Sequence, residues 1–225
     1  MDPLDKKALS GLLFLLLATA ALLLVPAGTL DFWQGWTFLA VYFAASLAIT
    51  LYLMRYDRPL LERRIRAGPT AEKEPTQRLI MLIASAAFLG LILVPALDHR
   101  FGWSRMPSAV ALAGDAMVAL GWLAIFGVFR VNSFTAATIE LAPGQKVVTT
   151  GPYALVRHPM YASALIMLSG IPIALGSWWG LLVIVAMLPA LLWRLLHEER
   201  FLAQNLPGYT AYQNKVRHHL IPLLW

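Results

Sequence analysis

The chain has 225 residues, 59% of them hydrophobic and 13% charged, with a formal net charge of +6. A soluble domain carries about 25% charged residues, so this composition points to a membrane protein. There is no cysteine, which excludes disulfides, thiol catalysis and Cys-ligated metals.

Uncharged runs cover Leu9 to Leu30, Phe32 to Met54, Leu79 to Leu97 and Met160 to Trp193. A helix needs about 20 apolar residues to cross a bilayer, so the first three runs each supply one span. The first is too long for the apolar region of a signal peptide and has no clean cleavage pattern after it, so it is read as a span. Ala109 to Phe129, interrupted only by Asp115, supplies a fourth. The 34-residue run from Met160 to Trp193 is long enough for two short spans, with Gly176 to Gly180 as the turn. The fold class is therefore all-α integral membrane, with about six transmembrane helices, the last two forming a tight hairpin. Cytosolic C-terminal amphipathic helices follow, Arg194 to Leu206 continuing the sixth span and Tyr209 to Leu220 forming another.

With six spans, one side of the membrane carries 16 Lys and Arg residues and the other carries Arg100 and Arg105. The positive-inside rule puts both termini in the cytoplasm, and a bacterial or archaeal inner membrane fits. The positive charge thus reflects topology and lipid headgroups, and no nucleic-acid motif accompanies it. The loop from Arg55 to Arg78 contains a short interfacial helix, Pro59 to Ile65, with proline at its start. Residues 1–130 form a four-span region with little chemistry, and residues 131–225 hold most clustered polar groups. Val147 to Thr150 is β-prone and suits a short extended piece before Gly151-Pro152.

Two polar clusters flank the last apolar run. Gly151-Pro152-Tyr153-Ala154-Leu155-Val156-Arg157-His158-Pro159-Met160-Tyr161 precedes it, and Arg194, His197, Glu198, Glu199 and Arg200 follow it. Proline at the first position starts a helix whose unpaired N–H groups suit a carboxylate or phosphate. Arg157 and His158 add donors there. In an antiparallel hairpin, residues 158 and 198 meet at one mouth, cation opposite anion, as a zwitterionic ligand requires. Taken alone, Arg157 and His158 could equally snorkel and cap the helix. Glu198 and Glu199 would ordinarily be read as a solvated helix end, with Arg194 and Glu198 pairing at four-residue spacing, and only their position opposite residue 158 favours the mouth. Tyr153, Tyr161, Tyr209 and Tyr212 fit either the mouth or an interfacial aromatic belt. Asp115 inside a span is a functional candidate or simply water-exposed. The four histidines at 158, 197, 218 and 219 are too scattered for a membrane di-iron centre, so no metal is expected.

The pattern Asn132-Ser133-Phe134, Gly151-Pro152-Tyr153, Val156-Arg157-His158-Pro159-x-Tyr161, Glu198-Glu199-x-x-Leu202, Tyr209-x-x-Tyr212 and Ile221-Pro222 resembles the isoprenylcysteine carboxyl methyltransferase superfamily, which includes phospholipid N-methyltransferases. The likeness covers about residues 130–225. It implies S-adenosylmethionine as cofactor, contacted by Tyr153, Arg157, His158, Pro159 and Tyr161, with Glu198 or Glu199 taking the ammonium or ribose hydroxyls. Arg194, Glu199 and Asn132 become the candidate catalytic residues. The partners implied are the bilayer and a hydrophobic or lipid-like acceptor: an isoprenylcysteine-type carboxylate, a phospholipid amine or a thiol. An amine acceptor would need a base, for which Glu199, His158 and Tyr212 are the candidates. Two other classes compete. One is an NADPH-dependent sterol-type reductase, which the acidic pair at the mouth disfavours. The other is a non-enzymatic scaffold or transporter.

Overall fold

The computed structural model describes residues 2–222; Met1 and residues 223–225, the last of the expected C-terminal region, lie outside the described residues. Five helices are long and apolar enough to cross a membrane: α1 (Pro3–Ala27), α2 (Trp33–Tyr56), α4 (Pro75–Phe101), α5 (Ser108–Val131) and α7 (Gly180–Asn205). Between them lie the short α3 (Arg58–Ile65) and the 16-residue apolar α6 (Pro159–Ala174), and α8 (Tyr209–Lys215) follows. Large apolar side chains point outward along the long helices, among them Phe14 (73% exposed), Leu123 (64%) and Val185 (62%). Such a surface is stable only against lipid tails. The protein is an all-α integral membrane protein.

Contacts at the two ends fix the antiparallel order. At the end carrying the termini, Arg58 pairs with Asp2 at 2.7 Å and Asp5 at 3.1 Å. At the other end, Phe32 stacks on His99 with ring centroids 3.9 Å apart. Asp98 there is 2% exposed and accepts from Ser104 N and Ser104 Oγ, both at 2.6 Å, and from Ser177 Oγ. Ser177 in turn accepts from Gly180 N at 3.1 Å, so one buried carboxylate ties α4 to the α6–α7 turn and caps α7. Gly176 takes φ +75° in that turn, the left-handed region where glycine is favoured.

The last two apolar helices form the expected hairpin, but unequally. A 16-residue helix spans about 24 Å, short of a 30 Å hydrocarbon core, while α7 runs 26 residues and projects past the apolar zone. The short helix is held by backbone proximity. A Cβ at Gly114 would lie 2.2 Å from the Ala174 nitrogen, one at Gly121 2.6 Å from the Met167 nitrogen, and one at Gly170 2.8 Å from the Gly114 oxygen. Helices α5 and α6 thus touch through glycines, the packing that association inside lipid favours.

Four local expectations are corrected. The interfacial helix α3 starts at Arg58, capped by Asp57, whose side chain accepts from Leu60 N at 3.1 Å. No strand forms at Val147 to Thr150 among the described residues; Val147 instead packs against a small core of Leu206, Tyr209, Tyr212 and Val216. The helix expected over Tyr209 to Leu220 ends at Lys215, because the residues beyond bond elsewhere. Arg157 N donates to His218 O and His158 N to His219 O, both at 2.9 Å, so this segment straps the approach to α6. Asp115 is buried at 6% exposure beside Thr37 of α2, not open to water.

Candidate functional site

The site is built where α6 begins, where α7 leaves the apolar zone, and along the 132–158 connection. The 151–154 turn and the strap beyond α8 set the backbone before Pro159, the first residue of α6. Helix geometry then leaves the N–H groups of Met160 and Tyr161 without intrahelical partners.

The two adjacent glutamates do different things, as their 100° angular separation requires. Glu199 is 8% exposed and gathers basic side chains: Arg157 Nε lies 2.7 Å from its Oε1, and His219 Nε2 3.3 Å from its Oε2. His158 Nε2 donates to Oε1 at 3.0 Å, which assigns the imidazole proton to that nitrogen. Arg157 also contacts His219 directly. Glu198 turns the other way and accepts from the Tyr161 hydroxyl at 2.6 Å.

A cavity of about 490 Å³ opens between these elements. Glu198, Arg157, His158, Tyr161, Arg194 and Asn132 line its polar part; Tyr42, Trp122 and Met167 line it inside the helix bundle. Tyr153 and Pro159 line it as well, whereas Glu199 does not. Asn132 caps the end of α5 and donates from Nδ2 to Tyr153 Oη at 2.8 Å. Tyr212 Oη donates to the Tyr153 carbonyl at 2.7 Å. Burial pushes the Tyr212 hydroxyl up to about 12, so it stays protonated as a donor and is unsuited to take a proton at neutral pH.

Arg194 stands at the boundary between polar and apolar walls and is 8% exposed. Its Nη2 lies 2.7 Å from Glu72 Oε1 and donates to Ala137 O at 2.9 Å, and its Nη1 donates to Gln77 Oε1 at 3.0 Å. Glu72 and Gln77, from the start of α4 and the turn before it, escaped the sequence reading. Both are nearly inaccessible, at 3% and 2%. Polar residues beside a predicted span that carry no motif give no local sign of burial. The polar cluster thus depends on the N-terminal half for the orientation of its arginine.

Residues 110–207 match the family model described as phospholipid methyltransferase. Over this segment, rather less than half of the chain, the protein is similar to phospholipid methyltransferases. The match runs from α5 to the end of α7 and includes Asn132, Tyr153, Arg157, His158, Tyr161, Arg194, Glu198 and Glu199. Glu72, Gln77, the tyrosines of α8 and the strap at 218–219 lie outside it. No curated protein matches the chain. Among the described residues, no group of three or more His, Cys, Asp or Glu side chains that could hold a metal ion occurs.

Proposed function

We propose that this protein is a membrane methyltransferase that binds S-adenosylmethionine in the polar part of the 490 Å³ cavity and passes its methyl group to a lipid-like acceptor in the apolar part. One observation carries the reading: a single cavity joins a zwitterion-matched mouth to the interior of the helix bundle. The residues suit the donor. The Glu198 carboxylate, oriented by Tyr161, fits an ammonium. The first-turn N–H groups of α6, with Arg157 alongside, fit a carboxylate.

When bound, S-adenosylmethionine supplies an already activated methyl group on a sulfonium. Transfer then needs in-line alignment more than acid–base help. Glu199 acts as a positioning residue: it holds Arg157 and His158 against the mouth while staying outside the cavity. Asn132 fixes the ring of Tyr153 in the wall. Arg194, rigid among its acceptors, orients an anionic group of the acceptor. A carboxylate or thiolate acceptor needs no base. Tyr212 is protonated, which leaves His158, through the Nδ1 lone pair of its Nε2–H tautomer, and Glu198 as the candidate bases in the cavity wall for an amine acceptor.

Calorimetry on the detergent-purified protein tests the reading, with S-adenosylhomocysteine and NADPH as separate titrants. The expected result is micromolar binding of S-adenosylhomocysteine alone, weakened about tenfold or more by Glu198→Gln, as for a charge-assisted hydrogen bond. Binding of NADPH alone would make the protein a reductase. Binding of neither by a folded sample would leave a scaffold or transporter.

A further inference from the structure

One guanidinium in the wall of the 490 Å³ cavity has no part in the chemistry above. It belongs to Arg64 of α3, outside the segment that matches the family model. Its Nη1 donates to Ala136 O at 3.3 Å, and its Cζ lies 5.2 Å from the centre of the Phe129 ring. Arg194 donates to the next carbonyl, Ala137 O, at 2.9 Å. Two guanidiniums, from α3 and α7, are thus anchored on consecutive carbonyls of one loop and line one cavity.

The two differ in how their charge is met. Arg194 has Glu72 at 2.7 Å. Arg64 has no carboxylate within ion-pair distance among the described residues. The carboxylates in the cavity wall are Glu140 and Glu198. Glu140 pairs with Lys73 at 3.4 Å, and Glu198 accepts from Tyr161 and faces the ammonium of the donor in the reading above. Of the other cations in the wall, Arg157 is met by Glu199 at 2.7 Å, and Lys146 is exposed.

Arg64 is also accessible. Its Nε and Nη2 have no hydrogen-bond partner, yet neither is among the buried unpartnered atoms of the chain, so both are open to the space that the side chain lines. Burial, and then the positive charge of Arg194, hold its guanidinium below the ordinary value, but a guanidinium keeps its proton in a protein. Two like charges with one counter-ion between them repel, and an added anion relieves that repulsion. In a half-buried site it gains more by doing so than it would in water. The planar fork of arginine suits two oxygens of one oxyanion.

We infer that Arg64 is a specificity-determining residue for the acceptor: together with Arg194 it grips an oxyanion, a carboxylate or a phosphate ester, at or beside the atom that is methylated. An amine without an oxyanion gains nothing from the pair and is repelled by it. This inference rests on the methyl-donor reading, because it takes Glu198 to be occupied by the donor.

Calorimetry on the detergent-purified full chain, saturated with S-adenosylhomocysteine, tests it with decanoate, decyl phosphate and decylamine, probes of equal chain length and different charge. The expected result is saturable binding of at least one anionic probe, with decylamine weaker by about tenfold or more, as charge-assisted hydrogen bonds supply. Arg64→Gln should weaken the anionic probe by about tenfold or more without weakening decylamine or S-adenosylhomocysteine. Arg64→Lys, which keeps the charge and loses the fork, should still prefer the anion. An arginine that merely held the loop would shift all of these titrations together. Response to decanoate alone assigns a carboxylate, response to decyl phosphate alone a phosphate, and response to both a site for either oxyanion. The inference is overturned if no probe binds, if the three bind alike, or if Arg64→Gln keeps the preference. The probe comparison in the parent chain needs no variant, so it decides even where a substitution unfolds the protein. Failure of the parent to bind S-adenosylhomocysteine is a separate result, which removes the methyl-donor reading and the acceptor role that rests on it.

Discussion

At residue scale, Arg194 and Glu72 form a buried pair whose removal is costlier than its presence is stabilising. Glu72→Ala would leave a guanidinium without its counter-charge, and a loss of about 3–5 kcal/mol is expected. Thermal unfolding in detergent checks this; an unchanged midpoint would mean that water reaches Arg194. His219 gives a pH signature. Burial holds its imidazole below the ordinary value, Glu199 pulls it up, and Arg157 and His158 oppose Glu199. The unfolded chain therefore takes the proton first as pH falls. This contribution to stability is full above about pH 6.5 and is lost as pH drops through the folded value. The unfolding midpoint should fall more steeply below that pH in the wild type than in His219→Gln, and parallel curves would remove the effect. Motif residues such as Arg157, His158 and Glu198 were legible because side-chain type and spacing announced them. Glu199 at the neighbouring position carried the same signal, and only helix rotation separates its role from that of Glu198.

Among elements, the α5–α6 contact is the most demanding. Gly121→Ala would press a methyl group to 2.6 Å from the Met167 nitrogen, a backbone atom that cannot rotate away. A loss of about 1–3 kcal/mol is expected from such overpacking. Gly127→Ala on the same helix meets nothing within 4 Å and serves as the control, neutral or slightly stabilising. If both substitutions behave alike in thermal unfolding, the helices are not in the contact described. The long helices were readable from uncharged runs of sufficient length. The unequal hairpin was not, because α6 owes its place to glycines on a partner helix and its mean composition resembles any span. The strap beyond α8 was equally hidden: its bonds use carbonyls of His218 and His219, which every residue type possesses.

For the whole molecule, the charge pattern predicts the topology. The end that gathers both termini also gathers 16 of the 18 Lys and Arg residues on the six-helix reading. A reporter fused at the C-terminus should therefore show cytoplasmic location, and an external signal would invert the assignment.

The strap also dictates an order of assembly in time. Arg157 and His219 are 62 positions apart, and the approach to α6 stays unbonded until the later segment has been made. At about 5–20 residues per second, translation leaves several seconds in which the helices before α7 can settle in the bilayer while the mouth has no closing strand of chain. The growing protein is thus inserted first and competent afterwards.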